Sequence, residues 1–276
     1  MGNVIAFWGA RPGQTGNSSN LVAAAAMLAL DYVSIVLAGH TQYGGSLVES
    51  AFRRQQRTLD AMSIAYCSSG IDSLERMARA GQLTASTLKD YTLPVFSSSL
   101  DLLPGTHKPD ADLFVRMHEV AAPICQAARS AYDLTLIDAG SGHGHALNEA
   151  VLHHADLIVV SLSQNMSLLR EFFEHMPAQI EQKRYVLVIG QYDSGSRLTL
   201  ANIRRLFKPQ APMFVLPHCS SYMDACNEQK VVEFFLKRKH IQREQPDYAL
   251  IQHIRSLNKG LFTALGVDPN MFAKEA

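Results

Sequence analysis

Residues 9–19 read G-A-R-P-G-Q-T-G-N-S-S, a glycine-bearing run whose residue types and spacing suit the binding of a phosphate group. Backbone N–H groups in such a loop, together with the positive end of a following helix, surround an anion without any charged side chain. The full pattern is G-x-x-x-x-G-K-[ST], in which the lysine reaches the outer phosphates and the hydroxyl holds magnesium. Gly16 and Ser18 stand in place, but Asn17 occupies the lysine position and Arg11 the first glycine position. The candidate phosphate-binding residues are therefore Arg11, Gly13, Gln14, Thr15, Gly16, Asn17, Ser18 and Ser19. The cradle is kept and its main charge is gone. A second candidate is Asp138, an acidic residue at the end of the apolar run 134–137 and followed by A-G-S-G. A carboxylate so placed holds magnesium through water, which pairs Ser18 with Asp138 as candidate metal residues.

A loop of this kind needs a strand before it and a helix after it. Residues 3–8 (N-V-I-A-F-W) read as a short buried strand, and the Ala/Leu-rich segment 20–30 as the helix. Further apolar runs at 33–37, 99–103, 134–137, 157–160, 185–189 and 213–216 predict strands. Helical patterns lie between them at 46–57, 71–80 and 84–91. A long amphipathic helix is expected over 110–131, with Leu113, Met117, Val120, Ala121 and Ile124 at helical spacing and a possible kink at Pro123. Unbroken apolar strands alternating with helices predict a doubly wound α/β fold, a mainly parallel sheet of about seven strands covered on both faces. In such sheets ligands bind outside the carboxyl ends of the strands, where the glycine loop, residues 38–42 and Asp138 all fall. No repeat, low-complexity tract or linker interrupts residues 1–276, so a single domain is expected.

The chain has 276 residues, 47% hydrophobic and 18% charged, with zero formal net charge. That balance gives no whole-chain reason to expect nucleic acid or an anionic membrane, although contact with either is compatible with it. Cys67, Cys125, Cys219 and Cys226 have no C-x-x-C spacing and read as reduced thiols of a cytoplasmic protein. No apolar run approaches the roughly 20 residues that span a bilayer, and no basic segment precedes the first strand as in a signal peptide.

These residues, in this order, resemble the ParA/MinD family of P-loop ATPases, which includes atypical pilus-assembly localisation proteins of the TadZ type. The resemblance covers most of the chain. Residues 132–140 (Y-D-L-T-L-I-D-A-G) look like the family's second nucleotide motif, and 102–106 (L-L-P-G-T) like the leucine–proline segment before it. Residues 155–160 (A-D-L-I-V-V) are similar to the strand after it. Leu216-Pro217, with 224–227 (D-A-C-N), is similar to the segment that closes over the adenine. The resemblance implies ATP or ADP with Mg2+, base contacts from Gln191 and Pro217, and a homodimer facing itself across the nucleotide. It also implies a protein partner in a larger assembly, and it places Arg11, His40 and the loop around His143 near the two-fold interface.

The departures from the family are specific. The family's loop carries K-G-G-x-G-K-T, and both lysines are absent here, at Pro12 and Asn17. Its second strand ends in D-x-D-x-Q, where this chain has Ala38, His40 and Gln42. Gly190-Gln191 stands where the family supplies an Asn to the base. Phosphoryl transfer depends on positioning and on neutralising charge, so losing these groups removes hydrolysis more than binding. The expectation is a degenerate nucleotide-binding protein, a positioning or scaffold factor for an assembly such as pilus or secretion machinery, with weak or no ATP hydrolysis. The alternative is an active partition or positioning ATPase that uses Arg11 in place of the lysine. A synthetase from the wider superfamily would need the missing lysine, and an iron–sulfur reductase a cysteine at a strand end. Zinc at His143, His145, His153 and His154, and a nucleophile at Ser141, are disfavoured by spacing. The run 237–240 (K-R-K-H) reads as a solvated face, and Val231, Phe234 and Phe235, with Ile241, as core or dimer contact.

Overall fold

In the computed structural model, which describes residues 2–52, 70–96 and 98–272, the apolar runs become one eight-stranded sheet. Its strands are β1 (Asn3–Gly9), β2 (Val36–His40), β3 (Leu93–Phe96), β4 (Leu100–Leu102), β5 (Leu134–Ser141), β6 (Leu157–Leu162), β7 (Tyr185–Tyr192) and β8 (Met213–Pro217). They lie in the order β3-β4-β2-β5-β1-β6-β7-β8. Every neighbouring pair is parallel except β3 with β4. β1 and β5 are inner neighbours as expected, with Phe7 opposite Asp138.

Alternation along β1 explains the two cores. Ile5 and Phe7 enter one cluster with the helix α1 (Asn17–Asp31), whereas Ala6 and Trp8 enter the other. Helix α1 is buried from Leu21 to Leu30 because its alanines let it lie between the sheet and the helix Tyr248–Leu265. There Asn258, fully buried, donates to the Ala24 carbonyl (3.2 Å). Val231, Phe234 and Phe235 join the same core, with Ile241 packed against it.

Four sequence expectations are corrected. The second strand runs over Val36–His40 rather than 33–37, since Val33 and Ile35 are 64% and 37% exposed while pairing with β5 continues to His40. The eighth strand, β3, was not anticipated: it is an edge strand containing Pro94, and an edge tolerates proline. The segment 110–131 is not one helix but Ala111–Val115, a 3₁₀ turn over Arg116–Val120, and Ala121–Ala131. Pro123 thus falls in the first turn of the last piece, where helix N–H groups have no intrahelical acceptor. Lastly, β5 and β7 extend past the apolar runs into 138–141 and 190–192, carrying Asp138 and Gln191 within strands. The helix expected over 46–57 is seen as α2 (Leu47–Phe52); its remainder, Cys67 and the end of the C-terminal tail lie outside the described residues.

Candidate functional site

The carboxyl ends of β1, β2 and β5 open into a cleft of about 1030 Å³. Loop residues 11–19 line one side, Thr41, Gln42 and Tyr43 a second, and Asp138 with residues 144–148 a third; Gln191 and Met223 close one end. Every loop residue singled out in the sequence lines this cleft. Pro217 does not line it and sits at the end of β8 opposite Tyr192.

The loop backbone has the form that an anion site requires. Gly16 (φ 64°) is the residue before α1, and no side chain caps the helix there. The first N–H groups of a helix have no intrahelical acceptor, so an uncapped start leaves them for a ligand. The loop is braced from behind. Asn20 Nδ2 donates to the Thr15 carbonyl (3.3 Å) and to Ser161 Oγ (3.1 Å), and Tyr222 donates to the Ser19 carbonyl (2.7 Å). Burial pushes the Tyr222 phenol well above its ordinary value, which keeps it a donor. Gly190 is obligatory because a Cβ there would lie 2.2 Å from the Thr15 carbonyl oxygen.

The side chains at the centre converge on Asp138, which is fully buried. Its Oδ1 accepts from Asn17 Nδ2 (2.8 Å) and the Gly140 N–H (3.0 Å). Its Oδ2 accepts from Ser18 Oγ (2.5 Å) and Gln42 Nε2 (3.1 Å). All four donors are neutral, and among the described residues no cation pairs with this carboxylate. Asn17 Nδ2 also donates to the Phe7 carbonyl (2.9 Å), while Asn17 Oδ1 has no partner among the described residues. The residue at the lysine position therefore directs its N–H groups inward. Its type was legible in the sequence; its direction was not.

Arg11 forms an ion pair with Glu171 of the helix Met166–Glu174, at side-chain exposures of 39% and 58%. Gln191 (φ 50°) packs over Gly16 and its Oε1 lies 2.7 Å from His218 Nδ1. His40 is 4% exposed and enclosed by Glu49 and Gly105. His143 lies against the Trp8 ring at 5.8 Å, and the Trp8 indole N–H donates to the Gly142 carbonyl (2.9 Å).

The architecture matches solved structures over nearly its whole length. A ParA family ATPase from Chlorobium tepidum TLS superposes with a TM-score of 0.65 at 19% identity, over 95% of this chain and 98% of that one. The septum site-determining protein MinD from Pyrococcus horikoshii OT3, complexed with Mg-ADP, gives 0.66 at 14% identity, over 95% and 96%. The fold is that of ParA and MinD. A chain of the MinC:MinD cell division protein complex of Aquifex aeolicus gives 0.60 at 15% identity, over 95% and 96%. No protein-family model matches the sequence, and no curated protein matches it.

Outside the cleft, Arg238 of the basic run pairs with Asp247 (2.6 Å) and covers the Phe234 ring (3.8 Å). The His153 and His154 rings meet in a T-shaped arrangement, centroids 5.0 Å apart, and among the described residues no group of three His, Cys, Asp or Glu side chains could hold a metal. No described helix is long and apolar enough to cross a membrane. Cys125, Cys219 and Cys226 are free thiols, and burial pushes Cys125 and Cys226 up to about 11.

Proposed function

We propose that this chain is a degenerate ParA/MinD-like nucleotide-binding protein that hydrolyses ATP slowly or not at all and acts through interaction. It works as a homodimer that positions or scaffolds a larger assembly, such as pilus or secretion machinery, through a protein partner. The observation that carries this reading is the inward turn of Asn17. Both amide hydrogens go to Phe7 and Asp138, so nothing at the lysine position is left to neutralise charge on a transferring phosphoryl group. The Arg11 guanidinium, the remaining cation of the loop, is directed to Glu171 instead.

The residues present fit a nucleotide phosphate. The uncapped start of α1 and the positive φ of Gly13 and Gly16 favour an anion there. Ser18 Oγ beside Asp138 offers the hard oxygen donors that magnesium takes, and Gln191 and Met223 border the end where a base would lie. Magnesium, when bound, supplies charge to hold the phosphates; the chain's own groups orient them. The MinC:MinD complex, a neighbour in fold, supports a protein as the class of partner.

Titration of the purified protein with ATP and ADP, with and without Mg2+, tests binding, and phosphate release tests turnover. Binding without appreciable turnover is expected. Asn17→Lys should tighten nucleotide binding by about tenfold, the effect of one charge-assisted contact, while raising hydrolysis only slightly. Wild-type turnover at ordinary enzyme rates, about 1–10³ per second, would falsify the reading.

A further inference from the structure

The loop after β2 is fastened at both ends by the protein itself. His40, the last residue of β2, accepts the Gln42 N–H at Nδ1 (3.2 Å). A neutral imidazole that accepts at Nδ1 carries its proton on Nε2, and Nε2 lies 3.3 Å from Glu49 Oε2 on α2. The same Glu49 oxygen accepts the Gly105 N–H (3.1 Å). This bond with His40 is the main cause that holds the Glu49 carboxyl below its ordinary value. Residue 105 must be glycine for the arrangement, since a Cβ would lie 2.6 Å from the His40 ring. At the far end Gln42 Nε2 reaches Asp138 Oδ2 (3.1 Å), and the Thr41 N–H donates to the Asp138 carbonyl (3.0 Å). Each step from Glu49 to Asp138 is a hydrogen bond, and none needs a ligand.

We propose that His40 is a positioning residue which, with Glu49, locks Thr41 and Gln42 against Asp138, so that this loop keeps one conformation with or without nucleotide. The position at which the resembling family carries a carboxylate has become a strut. The lock itself stands independently of nucleotide; its consequence, a partner surface that nucleotide does not switch, rests on the function proposed above.

Amide hydrogen exchange at Thr41 and Gln42 in the full chain tests it. Wild-type protection should be the same, within about twofold, in the ligand-free protein and with saturating Mg-ATP. His40→Ala should lower protection of the ligand-free Gln42 amide by about tenfold or more, as expected for a lost hydrogen bond. His40→Asn should restore much of it, because an Asn oxygen accepts from the N–H two residues on. Glu49→Gln, which keeps an acceptor for Nε2–H, should leave it intact. A merely structural role for His40 would instead raise exchange along β2 and β4 together, with no rescue by Asn. Should His40→Ala fail to fold, Gln42→Ala carries the test: Thr41 protection should fall while β2 stays protected. Fast exchange at both amides in the ligand-free wild type, or protection gained only on adding Mg-ATP, would overturn the proposal. Absence of nucleotide binding in the titration, with both amides still protected, would overturn the functional reading and leave the lock standing.

Discussion

On the side of the cleft facing β7 the loop is held through its own backbone carbonyls, whereas on the side facing β2 side-chain amides converge on a buried carboxylate. Toward β7, Thr15 lies against Gly190, and Asn20 and Tyr222 hold the carbonyls of Thr15 and Ser19. Toward β2, the amides of Asn17 and Gln42 converge on Asp138, and His40 fixes the Gln42 backbone. The two sides meet different chemical demands. An anion can be held by oriented N–H groups and a helix terminus, which depend on backbone geometry and survive side-chain change. Phosphoryl transfer also needs fixed positive charge and a group that orients water, and these are side chains. The contrast accounts for a chain that keeps the cradle while replacing the charged groups around it.

The largest effect expected from this contrast is at Asp138. Asp138→Ala removes the acceptor of four neutral donors that all line the cleft; the part-buried ones, Ser18, Gln42 and the Gly140 N–H, can turn to water. The bond from Asn17 Nδ2 is the buried one of the four, so that donor is the one left stranded. Urea unfolding should show a loss of about 1–3 kcal/mol for the stranded donor, to which the lost bonds of Ser18, Gln42 and Gly140 to a charged acceptor add. A loss below about 0.5 kcal/mol, as at an ordinary surface site, would mean that the amides do not depend on this carboxylate.

Next comes the backbone side. Gly190→Ala drives a methyl to within 2.2 Å of the Thr15 carbonyl oxygen, so β7 or the loop must move. About 1–3 kcal/mol of stability should be lost, with nucleotide binding weakened in parallel. Gly13→Ala sharpens the comparison, since its Cβ would meet nothing within 4 Å and only the positive φ opposes it. About 1 kcal/mol is expected there, without displacement of the loop. Equal losses at the two glycines would show that the close packing against Gly190 is not what holds the cradle.

The sequence made the backbone side more legible than the side-chain side. Unbroken apolar runs gave β1, β5, β6, β7 and β8, and the glycine spacing placed the loop, because burial and positive φ leave a signature in residue type. Asn17 and His40 were both recognised as departures, yet a residue type does not state where its hydrogen bonds go. Whether the Asn17 amide faces a phosphate or the Phe7 carbonyl depends on side-chain packing around β1 and β5. The burial of His40 was illegible for a related reason. Its burial comes from Glu49 and Gly105, which lie nine and 65 residues further along the chain and were not read as its neighbours.

A smaller effect concerns acid. The folded Glu49 carboxyl lies below its ordinary value, chiefly through the His40 bond. A depressed carboxyl contributes stability that is complete above the ordinary glutamate value and lost as pH falls through the folded one. Glu49→Gln should therefore lower the urea midpoint at pH 7 and flatten part of its decline below about pH 4.5, so that variant and wild type converge in acid. An identical acid decline in wild type and variant would remove Glu49 from the set of carboxylates that the fold depends on.

The smallest effect is expected at Arg11, and it separates the two functional readings. Arg11 and Glu171 are exposed, and such surface pairs contribute about 0–1 kcal/mol. Arg11→Ala should leave the urea midpoint nearly unchanged. If the loop binds phosphate chiefly through N–H groups, removing one exposed guanidinium should weaken nucleotide binding by no more than about threefold near 0.15 M salt. The change should grow at low ionic strength, because screening of an exposed charge is then relaxed. Glu171→Gln provides the opposite arm. It frees Arg11 from its partner, so affinity should rise slightly while turnover stays absent. The alternative assigns the missing lysine's work to Arg11, and it predicts something different: Arg11→Ala would abolish a measurable turnover, and Glu171→Gln would raise it. Turnover that follows Arg11 in this way would make the chain an ATPase whose charge enters from the start of the loop, leaving the amides around Asp138 as its scaffold.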